Sequence, residues 1–225
     1  MPAIRERMVS SLVNVSPELA ASVAAGLGIA VPQAMPRVLA RPAKPEVTTS
    51  AALSLKALPG DGGIRSRCVA ILVADGVEGK SVVAVQAALL AAGAKVHLIA
   101  PRLGSVKPSS GAPFDATGTL ENSPPVLFDG LVLPDGAGAV KALGARIEVM
   151  DFISNQYRHG KTILALGASQ ALLERTGVAP TLASGDADPG ILMGAAAKAE
   201  RAVADFITAL GRHRHPEREA GTHVP

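Results

Sequence analysis

The stretch KTILALGASQALL, residues 161–173, contains a short apolar and β-branched run that breaks at Gly167 and continues in a helix-like pattern. A buried strand, a tight turn and a helix in this order form the repeating unit of open α/β sheets. Such sheets present ligands and nucleophiles at the turn that follows the carboxyl end of a strand. Gly167, Ala168 and Ser169 occupy this turn and are therefore the first candidates for a functional site.

The same alternation continues on both sides of this stretch. We predict strands at 67–74, 95–100, 128–133 and 162–166, helices at 80–92, 146–158, 169–175 and 195–210, and a hairpin excursion within 101–125. The first of these strands, RCVAILVA at 67–74, is a continuous apolar run, as expected where both faces of a parallel sheet are buried. The predicted fold class is α/β, a three-layer αβα sandwich with a mostly parallel sheet.

The chain divides into four predicted segments. Residues 1–29 predict two amphipathic helices, with Ile4, Met8, Leu12 and Val15 at helical spacing and Ser16-Pro17 opening the second helix. Residues 30–65 form a Pro- and Gly-rich linker that is extended or wraps over a neighbouring subunit. Residues 66–211 form the α/β domain, and residues 212–225 form a polar, frayed and exposed tail.

Composition argues against several functions. The chain contains one Tyr, four Phe and no Trp, too few for a base-stacking surface, and its net charge of +3 is too small for a phosphate-binding stripe, so no nucleic acid is expected. Cys68 is the only cysteine and is interpreted as a small buried hydrophobe rather than a reactive thiol. No apolar run reaches the roughly 20 residues that cross a bilayer, so we expect a cytoplasmic protein without a membrane partner.

The first candidate site is a serine nucleophile. Gly167-Ala168-Ser169-Gln170-Ala171 resembles the G-x-S-x-G elbow of serine hydrolases. A triad also needs a later histidine, and only His213, His215 and His223 in the tail are available; no oxyanion segment of the HGG type is present. The favoured alternative is that Ser169 caps its own helix.

Three further candidates each have a simpler structural interpretation. Asp135-Gly136-Ala137-Gly138 is a nucleotide loop or, more simply, a tight turn. Glu78 could poise a thiol or a base, but a solvated glutamate in the first turn of a helix explains it as well. His213-Arg214-His215 could ligate a metal, although an exposed tail is the better interpretation.

The order of strands, with Glu78 after the first and an elbow after the last, resembles the glutamine amidotransferase-like superfamily, which includes intracellular peptidase-like and deglycase-like proteins. Its members carry a nucleophilic cysteine at the elbow, often followed by histidine. The matching residues here are Gly167 and Ala168, while Glu78 matches the acid that partners the cysteine. An acid without its thiol cannot perform covalent chemistry, so the resemblance implies an empty apex and no catalytic residue.

A narrower resemblance lies in RCVAILVADGVEG (67–79), IAPRLGSV (99–106) and LVLPDGAGAV (131–140), together with the cysteine-free elbow. These segments are similar to the C-terminal domain of large-subunit catalases, a flavodoxin-like, class I glutamine amidotransferase-like fold. IRERMVSSLVNVSPELAASVAAGLGI (4–29) is similar to the last helices of a catalase core.

This resemblance implies a non-catalytic domain with a stabilising, assembly or chaperone-like role around a homotetrameric haem enzyme that disproportionates hydrogen peroxide. Haem and its ligands belong to a core that would precede residue 1, and Tyr157 lies within the appended domain, so we expect this chain to bind no haem, metal or other cofactor. The expected partners are the catalase core and the other subunits, and self-association of the domain alone stays open. Two alternatives remain: a free-standing amidotransferase-like or hydrolase-like enzyme using Ser169 or Glu78, and a small-molecule sensor at the carboxyl edge of the sheet.

Overall fold

The computed structural model describes residues 2–39, 47, 49–54, 61–195 and 199–219. Contacts divide the chain into two compact units, residues 1–54 and residues 55–225. The helices of the described ranges are too short or too polar to cross a membrane.

The first unit contains the two predicted helices, α1 (Pro2–Leu12) and α2 (Pro17–Leu27). Helix α2 begins where Ser16 Oγ accepts a hydrogen bond from the N–H of Leu19, and Pro17 occupies its first turn. It ends at Gly28, whose φ of 65° lies in the left-handed region that glycine adopts without strain. The prediction of two short helices is confirmed.

A small apolar cluster joins the two helices. Val9 of α1 packs against Ala20 and Ala24 of α2, and these three side chains are fully or almost fully buried. Of the apolar residues at helical spacing in the sequence, Leu12 packs against this cluster, whereas Ile4 is 63% exposed and Val15 is 74% exposed. Part of the apolar stripe therefore lies outside the contact between α1 and α2.

Residues 30–39 of the predicted linker run in extended conformation beside α1. The hydroxyl of Ser10 donates to the carbonyl of Gln33 over 2.6 Å, and the N–H of Met35 donates to the carbonyl of Ser10 over 3.1 Å. A short 3-10 helix follows at Ala51–Leu53. The linker prediction for residues 40–46, 48 and 55–60 lies outside the described residues.

The second unit contains a six-stranded, entirely parallel sheet. Its strands are β1 (Cys68–Leu72), β2 (Lys95–Ala100), β5 (Gly118–Thr119), β6 (Gly130–Leu133), β7 (Thr162–Leu166) and β8 (Ile191–Gly194), in the spatial order β5-β2-β1-β6-β7-β8. A separate antiparallel hairpin, β3 (Gly104–Val106) with β4 (Phe114–Ala116), forms the predicted excursion. The prediction of a mostly parallel sheet is confirmed.

Helices cover both faces of the sheet. On one face α3 (Gly79–Ala91) packs beside α7 (Ala199–Gly211), and on the other α4 (Ala137–Gly144), α5 (Ile147–Arg158) and α6 (Gln170–Thr176) contact one another. The central strands β1, β6 and β7 are buried along nearly their whole length between these two helical layers, which explains why their apolar residues do not alternate with polar ones. Helix α4 was missed from the sequence, which predicted only a turn through its first residues.

The polar segment after α7 is folded, which corrects the prediction of an exposed tail for residues 212–219. His215 is fully buried, its N–H donates to the carbonyl of Gly160 over 2.8 Å, and a 3-10 helix follows at Pro216–Glu219. The prediction failed because these polar side chains find buried polar partners near the amino ends of the strands. The part of the predicted tail at 220–225 lies outside the described residues.

Candidate functional site

The sheet order reverses beside β1, because the chain passes to β2 on one side and later to β6 on the other. Such a switch point usually opens a crevice for ligands at the carboxyl ends of the strands. Here the turns after β1 and β6 touch each other, since a Cβ added to Gly136 would lie 2.6 Å from the carbonyl oxygen of Gly76 and 2.9 Å from the nitrogen of Glu78. Only glycine permits this backbone contact between the two turns. The glycines at 136 and 138 therefore serve a tight turn, and the nucleotide-loop interpretation finds no support.

The elbow after β7 keeps the backbone of a nucleophile turn. Gly167 directly follows the strand, begins a one-turn 3-10 helix at Gly167–Ser169 and has a φ of 54°. A side chain at this position would point away from the strand into the space beyond its carboxyl end. That space is occupied, because a Cβ on Gly167 would collide with the carboxylate of Asp135.

The Asp135 carboxylate is held by two backbone amides. Its Oδ1 accepts hydrogen bonds from the N–H of Gly136 over 2.7 Å and from the N–H of Ala168 over 2.8 Å. An amide of the residue after the elbow, converging with an amide from a second loop, is the arrangement of an oxyanion hole. Gly167 supplies no nucleophile, and no segment of the HGG type is present, but this amide pair exists and a side chain of the same protein fills it.

Ser169 is buried, with 1% of its surface exposed, and faces the interior. Its hydroxyl lies 2.6 Å from the carbonyl oxygen of Leu133 and 2.8 Å from that of Leu166. It makes no capping hydrogen bond to α6, which corrects the capping interpretation. The hydroxyl ties β6 to β7 and has no open path to a substrate.

The two described histidines of the candidate triad lie at the opposite end of the sheet. Nε2 of His213 lies 3.4 Å from Asp129 Oδ1, and Nε2 of His215 lies 2.9 Å from Thr162 Oγ1. Asp129 directly precedes β6 and Thr162 begins β7, whereas the elbow follows the last residue of β7. No triad forms around Ser169 within the described residues, and the two histidines bind different partners rather than one common point. His223 lies outside the described residues.

Glu78 is half-buried and serves as the N-cap of α3. One carboxylate oxygen accepts from the N–H of Ser81 over 2.6 Å, and the other accepts from the hydroxyl of Ser110. The Ser110 hydrogen bond lowers the pKa of Glu78, partial burial opposes it, and the Ser81 amide adds to the lowering. Glu78 is therefore an ionised capping residue rather than a solvated glutamate. Cys68, predicted to be a buried hydrophobe, is only half-buried and lies at the amino end of β1, whereas the elbow follows the carboxyl end of β7.

Sequence comparison identifies the family. Residues 65–220 match the family model of the C-terminal domain found in long catalases. The chain belongs to this family. It is 38% identical over 224 residues to catalase HPII of Pseudomonas aeruginosa, covering 98% of this chain and 29% of the relative. It is 34% identical to catalase HPII of Pseudomonas putida, covering 96% and 28% respectively, and 34% identical to catalase C of Rhizobium meliloti, covering 95% and 29%.

These long-catalase relatives confirm the resemblance inferred from the sequence. The chain spans about three tenths of their length. The match to Pseudomonas aeruginosa catalase HPII covers almost the whole chain, so both units have counterparts there.

Solved structures confirm the fold of this catalase domain. A two-domain protein with DJ-1/ThiJ/PfpI-like and ferritin-like domains from Anabaena variabilis superposes with a TM-score of 0.59 at 18% identity, over 65% of this chain and 48% of that one. Oxidised DJ-1 of Toxoplasma gondii gives a TM-score of 0.58 at 18% identity, over 70% of this chain and 98% of that one. The second unit therefore has the flavodoxin-like, DJ-1-like fold, and at this identity the likeness concerns the fold alone.

Proposed function

We propose that this chain is a non-catalytic C-terminal domain of a long catalase, and that it stabilises the haem-bearing remainder or supports its assembly. The observation that carries the proposal is the Asp135 carboxylate, which occupies the side-chain position of the elbow at Gly167. A nucleophile there is excluded by chemistry, since glycine has no reactive group, and by space, since the carboxylate fills the place of its Cβ.

The alternative enzymatic function loses its candidate groups. Ser169 donates into the interior, and both carboxylate oxygens of Glu78 accept hydrogen bonds from the loop and helix that it caps. A general acid or base must reach the reacting group through a free lone pair or proton. The Ser169 proton is donated into the interior, and Glu78 is bound in the cap of α3, which favours a scaffold over an enzyme.

In this proposal, haem is bound by the remainder of the catalase and not by this chain. Tyr157, the single tyrosine of the chain, has its ring covered by Arg218, whose Cζ lies 4.7 Å from the ring centroid. His215 is fully buried and bonded to Thr162. Tyr157 lines a cavity of about 560 Å³, but the charged side chains of Arg158, Arg218 and Glu219 line it as well. This lining is not the apolar slot that a porphyrin needs, so these residues do not fit haem. We therefore place haem, peroxide turnover and the metal ligands outside this chain.

The first unit supports a role in association. Its core consists of Val9, Ala20 and Ala24, while large apolar side chains such as Ile4 and Val15 are exposed. So small a core contributes little stability, and exposed apolar side chains on one unit are typical of a surface that is covered in a larger assembly. The proposed partners are the catalase core and the other subunits of the whole protein.

The decisive experiment is to measure the size of the native product. An antibody raised against residues 66–210 is used on extracts of the source cells, followed by size-exclusion chromatography with detection at the haem Soret band. We expect a band several times heavier than 22.7 kDa that co-elutes with haem absorbance and peroxide turnover. A band at 22.7 kDa without haem would contradict membership in a long catalase.

The absence of catalysis and the stabilising role are tested separately. A fluorophosphonate probe should leave the native chain unlabelled; labelling that disappears in Ser169→Ala would establish a hydrolase instead. In the whole catalase, deletion of residues 66–219 should shorten the half-life of peroxide turnover on heating. The reason is that the deletion removes the contacts by which the domain stabilises the folded haem-bearing remainder. An unchanged half-life and an unchanged assembly state would refute the stabilising role.

A further inference from the structure

The geometry of the two backbone amides at the elbow indicates which kind of ligand they bind. The N–H groups of Gly136 and Ala168 both point at Asp135 Oδ1, at 2.7 and 2.8 Å, and they come from loops that follow different strands, β6 and β7. Two converging donors from separate elements form a geometry that the fold, rather than a single turn, imposes. Such preorganised donors favour a negatively charged oxygen.

We propose that Gly136 N–H and Ala168 N–H form a carboxylate-binding site, which Asp135 fills in cis and thereby closes to small carboxylates from solution. The proposal rests on the non-catalytic reading of the elbow and adds the chemical class of its occupant. Asp135 acts as a built-in ligand of this site, and its carboxylate joins the turn after β6 to the turn after β7 through the two hydrogen bonds.

The backbone of the elbow supports a plugged site over a collapsed one. Gly167 keeps a φ of 54°, the conformation of a tight strand-to-helix turn. The three atoms nearest to a Cβ added there are Cγ, Oδ1 and Oδ2 of Asp135, and none of these three is a backbone atom of a neighbouring loop. Removal of the carboxylate should therefore leave a cavity of carboxylate size with its donors in place.

The test replaces the built-in ligand by one in solution. Asp135→Ala keeps the Cβ and removes only the carboxylate group, so formate has the size of the missing atoms. Asp135→Gly removes the Cβ as well, so acetate has the size of the missing atoms. We expect each variant to melt roughly 5 °C or more below the native chain. Increasing sodium formate should raise the melting temperature of Asp135→Ala, and sodium acetate that of Asp135→Gly, relative to sodium chloride at equal ionic strength.

Size selectivity and two controls make the result specific. Acetate should stabilise Asp135→Gly more than Asp135→Ala, whose Cβ occupies the place of the acetate methyl group. The native chain, whose site is full, should respond to neither anion beyond the chloride control, and Asp135→Asn should behave likewise because its amide still fills the space. Variants that melt alike in formate, acetate and chloride, or an equal response of the native chain, would overturn the proposal.

Loss of the proposed function would be recognised independently. Ser169 labelling or turnover by the native chain would refute the non-catalytic reading, yet the melting curves of the Asp135 variants would still report whether the amide pair binds a carboxylate. If Asp135→Ala does not fold in chloride, it should fold when refolded in formate, as judged by circular dichroism. Failure to fold in both salts counts against the proposal.

Discussion

Arg218 and Asp188 form a two-pronged ion pair near the amino ends of β7 and β8. Nε and Nη2 of Arg218 lie 2.6 and 3.0 Å from the two carboxylate oxygens of Asp188, and the two side chains are only 5% and 0% exposed. Nη1 of Arg218 donates to the carbonyl oxygens of Tyr157 and Lys161. All three nitrogens of the guanidinium have partners, so this pair fastens residues 212–219 to the domain.

Asp188→Ala should destabilise the domain strongly, because it leaves a buried guanidinium without its counter-charge. Breaking one side of a buried pair costs about 3–5 kcal/mol. Arg218→Lys should also be destabilising, since an ammonium cannot reproduce the planar fork. The measurement is the free energy of unfolding in urea.

Asp205→Ala is the matched control for this prediction. Asp205 pairs with Arg201 on the surface of α7 at 4.0 Å, with side chains 59% and 88% exposed, so its loss should change the free energy of unfolding by less than about 1 kcal/mol. Equal effects of Asp188→Ala and Asp205→Ala would mean that the buried pair does not hold the segment in place.

His215 should make the domain sensitive to mild acid. Its pKa is lowered to about 4, chiefly by burial; the neighbouring Arg218 and Arg212 contribute to the lowering, while Asp188 and Glu217 oppose it. The unfolded chain binds this proton below about pH 6.5, whereas the folded chain resists it until about pH 4. The His215 contribution is therefore fully present above pH 6.5 and is lost as the pH falls toward 4, by about 3 kcal/mol in total.

Unfolding free energies of the native chain and of His215→Gln, measured between pH 4.5 and 7, check this. The slope with pH should be flatter in His215→Gln. Carboxylates with a lowered pKa, such as Glu78 and Glu217, lose their contribution below 4.5 and so do not confuse the comparison. His213, whose pKa is also lowered by burial, requires His213→Gln as the companion control. Parallel profiles for the native chain and His215→Gln would refute the assignment to His215.

The sheet could be predicted from the sequence because its strands are buried on both faces. Strands β2 and β7 match the predicted ranges residue for residue, because Pro101 ends the first and Gly167 ends the second. Helix α4 was missed because Ala137-Gly138-Ala139 reads as part of a glycine-rich turn. Its helical structure depends on packing against α5 and α6, which no local pattern reports.

The site was predicted less well, because its decisive contact is non-local. The carboxylate of Asp135 and the amide of Ala168 are 33 residues apart, and each looks like an ordinary turn residue. The order LPDG did place an acid at the end of β6, but only the pairing of β6 with β7 brings it to the elbow. The prediction of an exposed tail at 212–219 was wrong for the same reason, since the partners of this segment, Asp188, Gly160 and Thr162, are distant in sequence.

Glu78→Ala should remove an N-cap and destabilise α3 by about 1 kcal/mol. Since the Ser110 hydroxyl lowers the pKa of Glu78, the ionised carboxylate adds stability above pH 4.5 that is lost as the pH falls below that value. Ser110→Ala should raise the Glu78 pKa toward its ordinary value, which carboxylate titration by NMR measures. A Glu78 pKa that does not move in Ser110→Ala would show that another group holds the carboxylate ionised.

Gly167→Ala should be far more costly than Gly177→Ala, although both glycines have positive φ, 54° and 69°. An alanine at either position incurs the left-handed backbone cost of about 1–2 kcal/mol. Only at Gly167 does the added Cβ also meet the Asp135 carboxylate, whereas nothing lies within 4 Å of it at Gly177. Displacing that carboxylate breaks two charge-assisted hydrogen bonds, so the additional loss should be roughly 2 kcal/mol or more.

A double-mutant cycle isolates this additional loss. In the Asp135→Ala background the carboxylate is gone, and Gly167→Ala should then cost no more than Gly177→Ala, with a coupling energy of roughly 2 kcal/mol between positions 135 and 167. The free-energy cost of Gly177→Ala should be the same with or without Asp135→Ala, because a Cβ at position 177 has no atom within 4 Å. Additive free energies for Asp135→Ala and Gly167→Ala would mean that the Asp135 carboxylate does not occupy the elbow in solution. The proposal of a carboxylate-binding site filled by Asp135 would then be wrong as well.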